Sequence, residues 1–143
     1  MSDIARIISP VDGTLYAERP YLSHPEAQQA VERATEAQRT WQDTALDERL
    51  RILGSAVDAL MEQQDELSEE LAWVMGRPIT QGPGEARGFA ERARYMLEIA
   101  PRALAPIEIP GKAGFKRYIQ RDPVGVVLTI APWNFPYMTA VNS

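Results

Sequence analysis

Val124-Gly125-Val126-Val127-Leu128-Thr129-Ile130-Ala131, followed directly by Pro132-Trp133-Asn134-Phe135-Pro136, is the stretch on which the fold turns. Its first eight residues are rich in β-branched side chains and lack polar alternation, the pattern of a strand covered on both faces in a parallel sheet. Parallel neighbours are reached through crossovers of a dozen or more residues, and residues 132–143 are too few to supply one. An α/β fold is therefore predicted in which this strand lacks its sheet partners within the chain. In open α/β sheets ligands bind beyond the carboxyl ends of the strands, and the Pro-rich turn stands at that end. Pro132 and Pro136 stiffen the backbone around Asn134. Its side-chain amide then reads as a preoriented donor to charge building on a substrate oxygen, a contribution of about 10² to 10³ in rate. The other reading is an asparagine that caps a helix beginning near Tyr137. Both stand at this point.

Upstream, Ile7-Ile8 and Thr14-Leu15-Tyr16 flank Pro10-Val11-Asp12-Gly13 and predict a hairpin over residues 4–16, with Asp-Gly supplying the turn. Ser23-x-x-Glu26 is a capping box with Pro25 in the first turn. Ala27, Ala30, Val31, Ala34, Ala37 and Trp41 then mark a helix with a narrow face of small residues. A second helix is predicted over residues 47–61 from Leu50, Leu53, Val57, Leu60 and Met61, and a third from Leu67, Leu71, Val74 and Met75, closed by Gly76. Gly76, Pro78, Gly82, Pro83 and Gly84 predict a loop over residues 76–88, before a fourth helix over 85–104. Residues 107–109 and 115–121 read as a two-stranded ribbon, which needs something to lie against, another subunit being the natural choice.

Composition narrows the function classes. The 143 residues carry 15 Lys and Arg against 20 Asp and Glu, a net charge of -5, which removes the usual electrostatic case for nucleic acid or an anionic membrane. At this size and with 45% hydrophobic residues, a compact domain would bury roughly 70% of its extended-chain surface. There is no cysteine, hence no disulfide framework, Cys-based zinc site or thiol nucleophile in this chain. The one histidine, His24, reads as an exposed neighbour of the helix cap, leaving no His-based metal site. Residues 1–9 contain no signal-peptide core, and no apolar run spans a membrane, so a soluble, cytoplasmic protein is the expectation. Three further clusters read blandly. The glycines from Gly82 to Gly88 lack the strand and spacing of a phosphate cradle. The acidic row Asp58, Glu62, Asp65, Glu66, Glu69 and Glu70 has the spacing of a solvated helix face. Lys112, Lys116, Arg117 and Arg121 make a basic ribbon suited to edge protection or subunit pairing.

Pro123-Val124-Gly125-Val126-Val127 with Ala131-Pro132-Trp133-Asn134-Phe135-Pro136 resembles the segment that opens the NAD(P)-binding sheet of the aldehyde dehydrogenase superfamily. The upstream order fits as well: Ser9-Pro10-Val11-Asp12-Gly13, then Ala34, Ala37 and Trp41, Glu48-Arg49-Leu50, and Met75-Gly76-Arg77-Pro78. The resemblance runs over residues 9–143 and implies NAD(P)-dependent oxidation of an aldehyde to a carboxylic acid. In that chemistry a cysteine thiolate attacks the aldehyde, hydride passes to the nicotinamide, and a glutamate-activated water hydrolyses the thioester. By resemblance Asn134 matches the oxyanion-hole asparagine, and Ile130, Ala131, Pro132 and Trp133 match backbone lining the cofactor. Phe135 and Met138 match the walls of the aldehyde tunnel.

The implied organisation has three parts. Residues 1–106 are the hairpin and helices of a Rossmann-like cofactor domain, 107–122 an oligomerisation ribbon, and 123–143 the first central strand and its loop. The family's nucleophile, glycine-rich turn and general-base glutamate would fall beyond Ser143, so the expectation is an N-terminal fragment, inactive and poorly folded alone, of a homo-oligomeric enzyme. The alternative is a non-catalytic module that pairs with full-length subunits.

Overall fold

An antiparallel hairpin, β1 (Ile4–Ile8) and β2 (Leu15–Pro20), begins the computed structural model, which describes residues 4–143. Residues 1–3, the start of the predicted 1–106 unit and of the stretch read as carrying no signal peptide, lie outside the described residues. Gly13 takes φ 76° in the turn, and the Asp12 carboxylate accepts the Thr14 backbone N–H at 2.9 Å and its hydroxyl at 2.8 Å. These two bonds, the backbone one foremost, hold the Asp12 carboxyl below its usual range. The second strand runs past the predicted Tyr16 to Pro20, because its backbone pairs with β1 as far as Ile4 opposite Pro20, with Arg6 and Glu18 facing each other at 2.8 Å.

The capping box forms as predicted at the start of α1 (His24–Gln42). The Ser23 backbone N–H donates to the Glu26 carboxylate at 2.8 Å, and the Glu26 N–H donates to the Ser23 hydroxyl at 3.4 Å. The Ser23 hydroxyl first, then its backbone N–H, holds the Glu26 carboxyl below its ordinary 4.5. A carboxyl depressed in the folded state stabilises it above the ordinary value, and that support is lost as pH falls through the folded one. Acidification below 4.5 should therefore return the Ser23 amide resonance toward its free position, and Glu26→Gln should flatten that titration. An amide shift that ignores pH in the parent chain would sink this assignment. The helix is as predicted, but its small-residue face buries no side chain, and only Trp41 at its end reaches the groove lined by α2 and α4 residues.

α2 (Leu46–Glu62) and α3 (Gln64–Met75) follow with Gln63 alone between them. Gly76 closes α3 in the left-handed region at φ 75°, its N–H bonded to the Ala72 carbonyl at 2.9 Å. The predicted loop over 76–88 is corrected: a 3-10 turn (Ile79–Gln81) leads straight into α4 (Gly82–Leu104). Pro83 is no obstacle in a first turn, where its missing N–H would have had no helical partner. Gly82 is required by packing instead of by a turn: a Cβ there would stand 2.5 Å from the Ser68 Cβ and 2.7 Å from its Cα. α4 is the hub, with α2, α3 and the 3-10 turn against it. Val57, Ala90 and Ala93 are buried between α2 and α4, joined by Met61, Phe89, Leu97 and Val141, and the alanines allow close approach.

The ribbon forms but is shorter than predicted, pairing β3 (Ile107–Glu108) with β4 (Tyr118–Ile119) and adding a Lys112–Phe115 bridge. Its cations are used internally. Lys112 lies over Phe115 at 5.8 Å, Lys116 over Tyr118 at 5.6 Å, and Arg121 donates to the Ala105 carbonyl at 2.6 Å.

The predicted buried strand over residues 124–131 does not form: these residues take no regular structure, and Val124 and Leu128 are 89% and 83% exposed. A strand has no hydrogen bonds of its own, and no described strand lies beside this one to supply them. Burial of 70% is likewise not reached. The chain exposes 10923 Å², where a compact monomer of 16.0 kDa exposes about 7,400 Å². Part of the excess lines an open apolar groove of about 550 Å³ between α2 and α4, bounded by Leu46, Leu53, Phe89, Met96 and Leu97. A short α5 (Pro136–Ala140) docks the end of the chain on α4. No described helix is long and apolar enough to cross a membrane.

Candidate functional site

The Pro-Trp-Asn-Phe-Pro loop is held from beneath by two charged side chains that the sequence reading did not single out. Arg77 follows the left-handed Gly76, and Glu85 lies one turn into α4, so the tight path through the 3-10 turn brings them together. The Glu85 side chain is fully buried and that of Arg77 is 8% exposed. One guanidinium arm of Arg77 donates to Glu85 Oε2, and the other donates to the backbone carbonyl of Asn134. The guanidinium carbon sits 4.6 Å from the centre of the Phe135 ring. The second carboxylate oxygen, Oε1, accepts the Tyr137 backbone N–H at 2.9 Å. Burial first, and then the charges of Glu70 and Glu85, raise the pKa of the Tyr137 phenol.

Of the predicted site residues, Asn134 and Phe135 are held by Arg77, and Met138 lies against α4 at Gly88. Met138 packs where a Cβ on Gly88 would fall 3.1 Å from its sulfur. The Asn134 side chain is exposed, and among the described residues its amide makes no hydrogen bond. It does not cap α5. Phe135 occupies the cap position, and no side-chain cap bond is made there. That outcome removes the helix-capping alternative, and the backbone that carries the Asn134 amide is bonded by Arg77.

The four residues assigned to the cofactor are not gathered in this way. Ile130 and Trp133 are 85% and 76% exposed, Pro132 is exposed and Ala131 half-buried, and none of them lines the apolar groove or the smaller cleft beside Glu66, Glu69 and Glu70. These residues by themselves do not enclose a dinucleotide. The acidic row stays solvated, with Asp58 paired to Arg94 at 2.8 Å, and among the described residues no cluster of three potential ligands is placed to hold a metal. The glycines at Gly82 and Gly84 lie inside the first turn of α4, so no phosphate-binding loop exists there. Arg77 stood within the Met-Gly-Arg-Pro motif, but its neighbours gave no signal that Glu85 would be its partner.

Comparison with known proteins completes the assignment. The aldehyde dehydrogenase family model matches residues 2–143. The chain is 36% identical over 139 residues to an aldehyde dehydrogenase of Paenarthrobacter nicotinovorans, covering 94% of this chain and 30% of that protein. It is 31% identical over 135 residues to the NADP(+) succinate-semialdehyde dehydrogenase of Deinococcus radiodurans, covering 94% of this chain and 28% of that protein. Among solved structures, the aldehyde dehydrogenase KauB from Pseudomonas aeruginosa superposes with a TM-score of 0.90 at 27% identity, over 97% of this chain and 28% of that one. The NADP-dependent glyceraldehyde-3-phosphate dehydrogenase of Bacillus halodurans, complexed with NADP, superposes with a TM-score of 0.87 at 28% identity, over 97% and 30%. The chain thus spans less than a third of the length of these relatives. Fold, motif and match along the chain agree, and the chain belongs to the aldehyde dehydrogenase family.

Proposed function

We propose that this segment serves an oxidoreductase that converts an aldehyde to a carboxylic acid with NAD or NADP as the electron acceptor. The observation that carries the reading is the free Asn134 amide on a loop anchored through Arg77 and Glu85. Such an amide donates to the oxygen of an aldehyde carbon as it becomes tetrahedral, with little reorganisation because the backbone beneath it is already fixed. Phe135 and Met138 flank it as apolar walls for the aldehyde. Ile130, Ala131, Pro132 and Trp133 form the surface offered to the cofactor, completed by residues outside this chain. The ribbon over residues 107–122 pairs subunits of a cytoplasmic homo-oligomer; its exposed edges support that role.

A thiol nucleophile must come from elsewhere, since the chain has no cysteine. The chain alone should therefore form no NAD(P)H with any aldehyde. A longer polypeptide that contains this segment and a downstream cysteine should form one carboxylate for each NAD(P)H. Turnover by the isolated chain, or its absence from such a longer polypeptide across a broad aldehyde panel, would overturn the proposal.

A further inference from the structure

We infer that Arg77 and Glu85 are positioning residues for the Asn134 donor, an inference that rests on the reading of Asn134 just given. Their side-chain hydrogen bonds go to backbone groups of residues 134 and 137 and to each other, and none goes to the Asn134 side-chain amide. Both carboxylate oxygens of Glu85 and both terminal nitrogens of Arg77 are engaged. Glu85 spends one oxygen on Arg77 and the other on the Tyr137 N–H, while Arg77 spends one arm on Glu85 and the other on the Asn134 carbonyl. The guanidinium plane also covers Phe135. Residues 134 and 135 are thereby held by the guanidinium, and residue 137 by the carboxylate, of one ion pair.

A buried ion pair is a poor choice where stability alone is needed, since well-packed apolar side chains often do as well. What apolar side chains cannot do is bind a carbonyl and an N–H at fixed angles, and a planar five-donor fork does this better than a lysine. Fixing the carbonyl of Asn134 orients the peptide plane after it, and holding the Tyr137 N–H closes the far side of the turn. The Cα–Cβ direction of Asn134 is then set before any substrate arrives.

The test uses the chain itself, with amide hydrogen exchange and the Asn134 side-chain resonance as readouts. Glu85→Gln keeps an acceptor for Tyr137 and loses the charge. Its Tyr137 amide should exchange roughly tenfold faster, with the Ala90 amide in α4 unchanged. Arg77→Lys keeps the ion pair and loses the fork and the stacking. Here the Asn134 carboxamide signal should move to the averaged position of a free asparagine, again with Ala90 unchanged. Rates at Tyr137 that stay at the parent value, or that rise in step with Ala90 in both variants, overturn the inference, the second outcome giving the pair a merely structural role. Asn134→Ala should leave Tyr137 exchange untouched. If turnover in a longer enzyme then ignores Asn134 while Tyr137 still responds to Glu85→Gln, it is the donor reading that falls and the anchoring that stands.

Discussion

Glu85→Ala should destabilise the helical part of the chain by about 3–5 kcal/mol, read as a lowered urea midpoint in far-UV circular dichroism. The magnitude follows from what is left behind. Arg77, with its side chain 8% exposed, would keep a buried charge and lose its counter-ion, and the Tyr137 N–H would lose its acceptor. The chain has little reserve against such a loss. Among the described residues the buried hydrophobic ones are Val57, Leu71, Ala86, Ala90 and Ala93, three of them alanines that contribute little apolar area. A double replacement, Arg77→Met with Glu85→Leu, should recover much of the midpoint because it removes both charges together. A loss below about 1 kcal/mol for Glu85→Ala would mean that the pair is solvated in solution, contrary to its burial here.

Asn134→Ala should behave oppositely, leaving the urea midpoint in place and lowering kcat of a longer enzyme containing this segment by about 10² to 10³. Stability is spared because the side chain is exposed and unbonded among the described residues. Rate falls because a donor aimed at developing charge is strongest in the transition state, so kcat should drop far more than KM changes. Asn134→Asp should fall at least as far, since a carboxylate supplies no N–H and repels an oxyanion. A kcat within about threefold of the parent would remove Asn134 from the chemistry, because a single oxyanion donor is worth far more than that.

The two variants separate the loop from its foundation, and they differ in how far sequence alone could lead to them. Asn134 was legible because two prolines and an apolar run gave it a place in a sheet-end turn, and because its neighbours resemble a family segment. Glu85 was not. It stood among glycines that resembled a loop, and the reason those glycines occur there is the approach of Ser68 from another helix, with a Cβ at Gly82 only 2.5 Å from its own. The same cause displaced the predicted start of α4 by three residues, from 85 to 82. Pro83 was read as a breaker where it is a first-turn residue.

Short-range physics accounts for what could be read directly. The Asp12-Gly13 turn, the Ser23 and Glu26 capping box, the amphipathic runs of α2 and α3 and the left-handed Gly76 all depend on groups within a few residues of one another. Their hydrogen bonds are determined by the chain segment that contains them. Residues 124–131 are the contrary case: their composition marks a strand, but the ladder bonds that make one belong to neighbours, and without them the segment stays irregular and exposed. The anchoring of Asn134 is likewise a matter of distance along the chain. Fifty-seven residues separate Arg77 from the carbonyl it binds, and fifty-two separate Glu85 from Tyr137. The sequence by itself determined α1 with its capping box, the runs of α2 and α3 and the Gly76 close, and it marked Asn134 as the proposed donor. Only the packing of α3, α4 and α5 decided which side chains hold that donor in place, because charge pairing over such separations is set by three-dimensional approach.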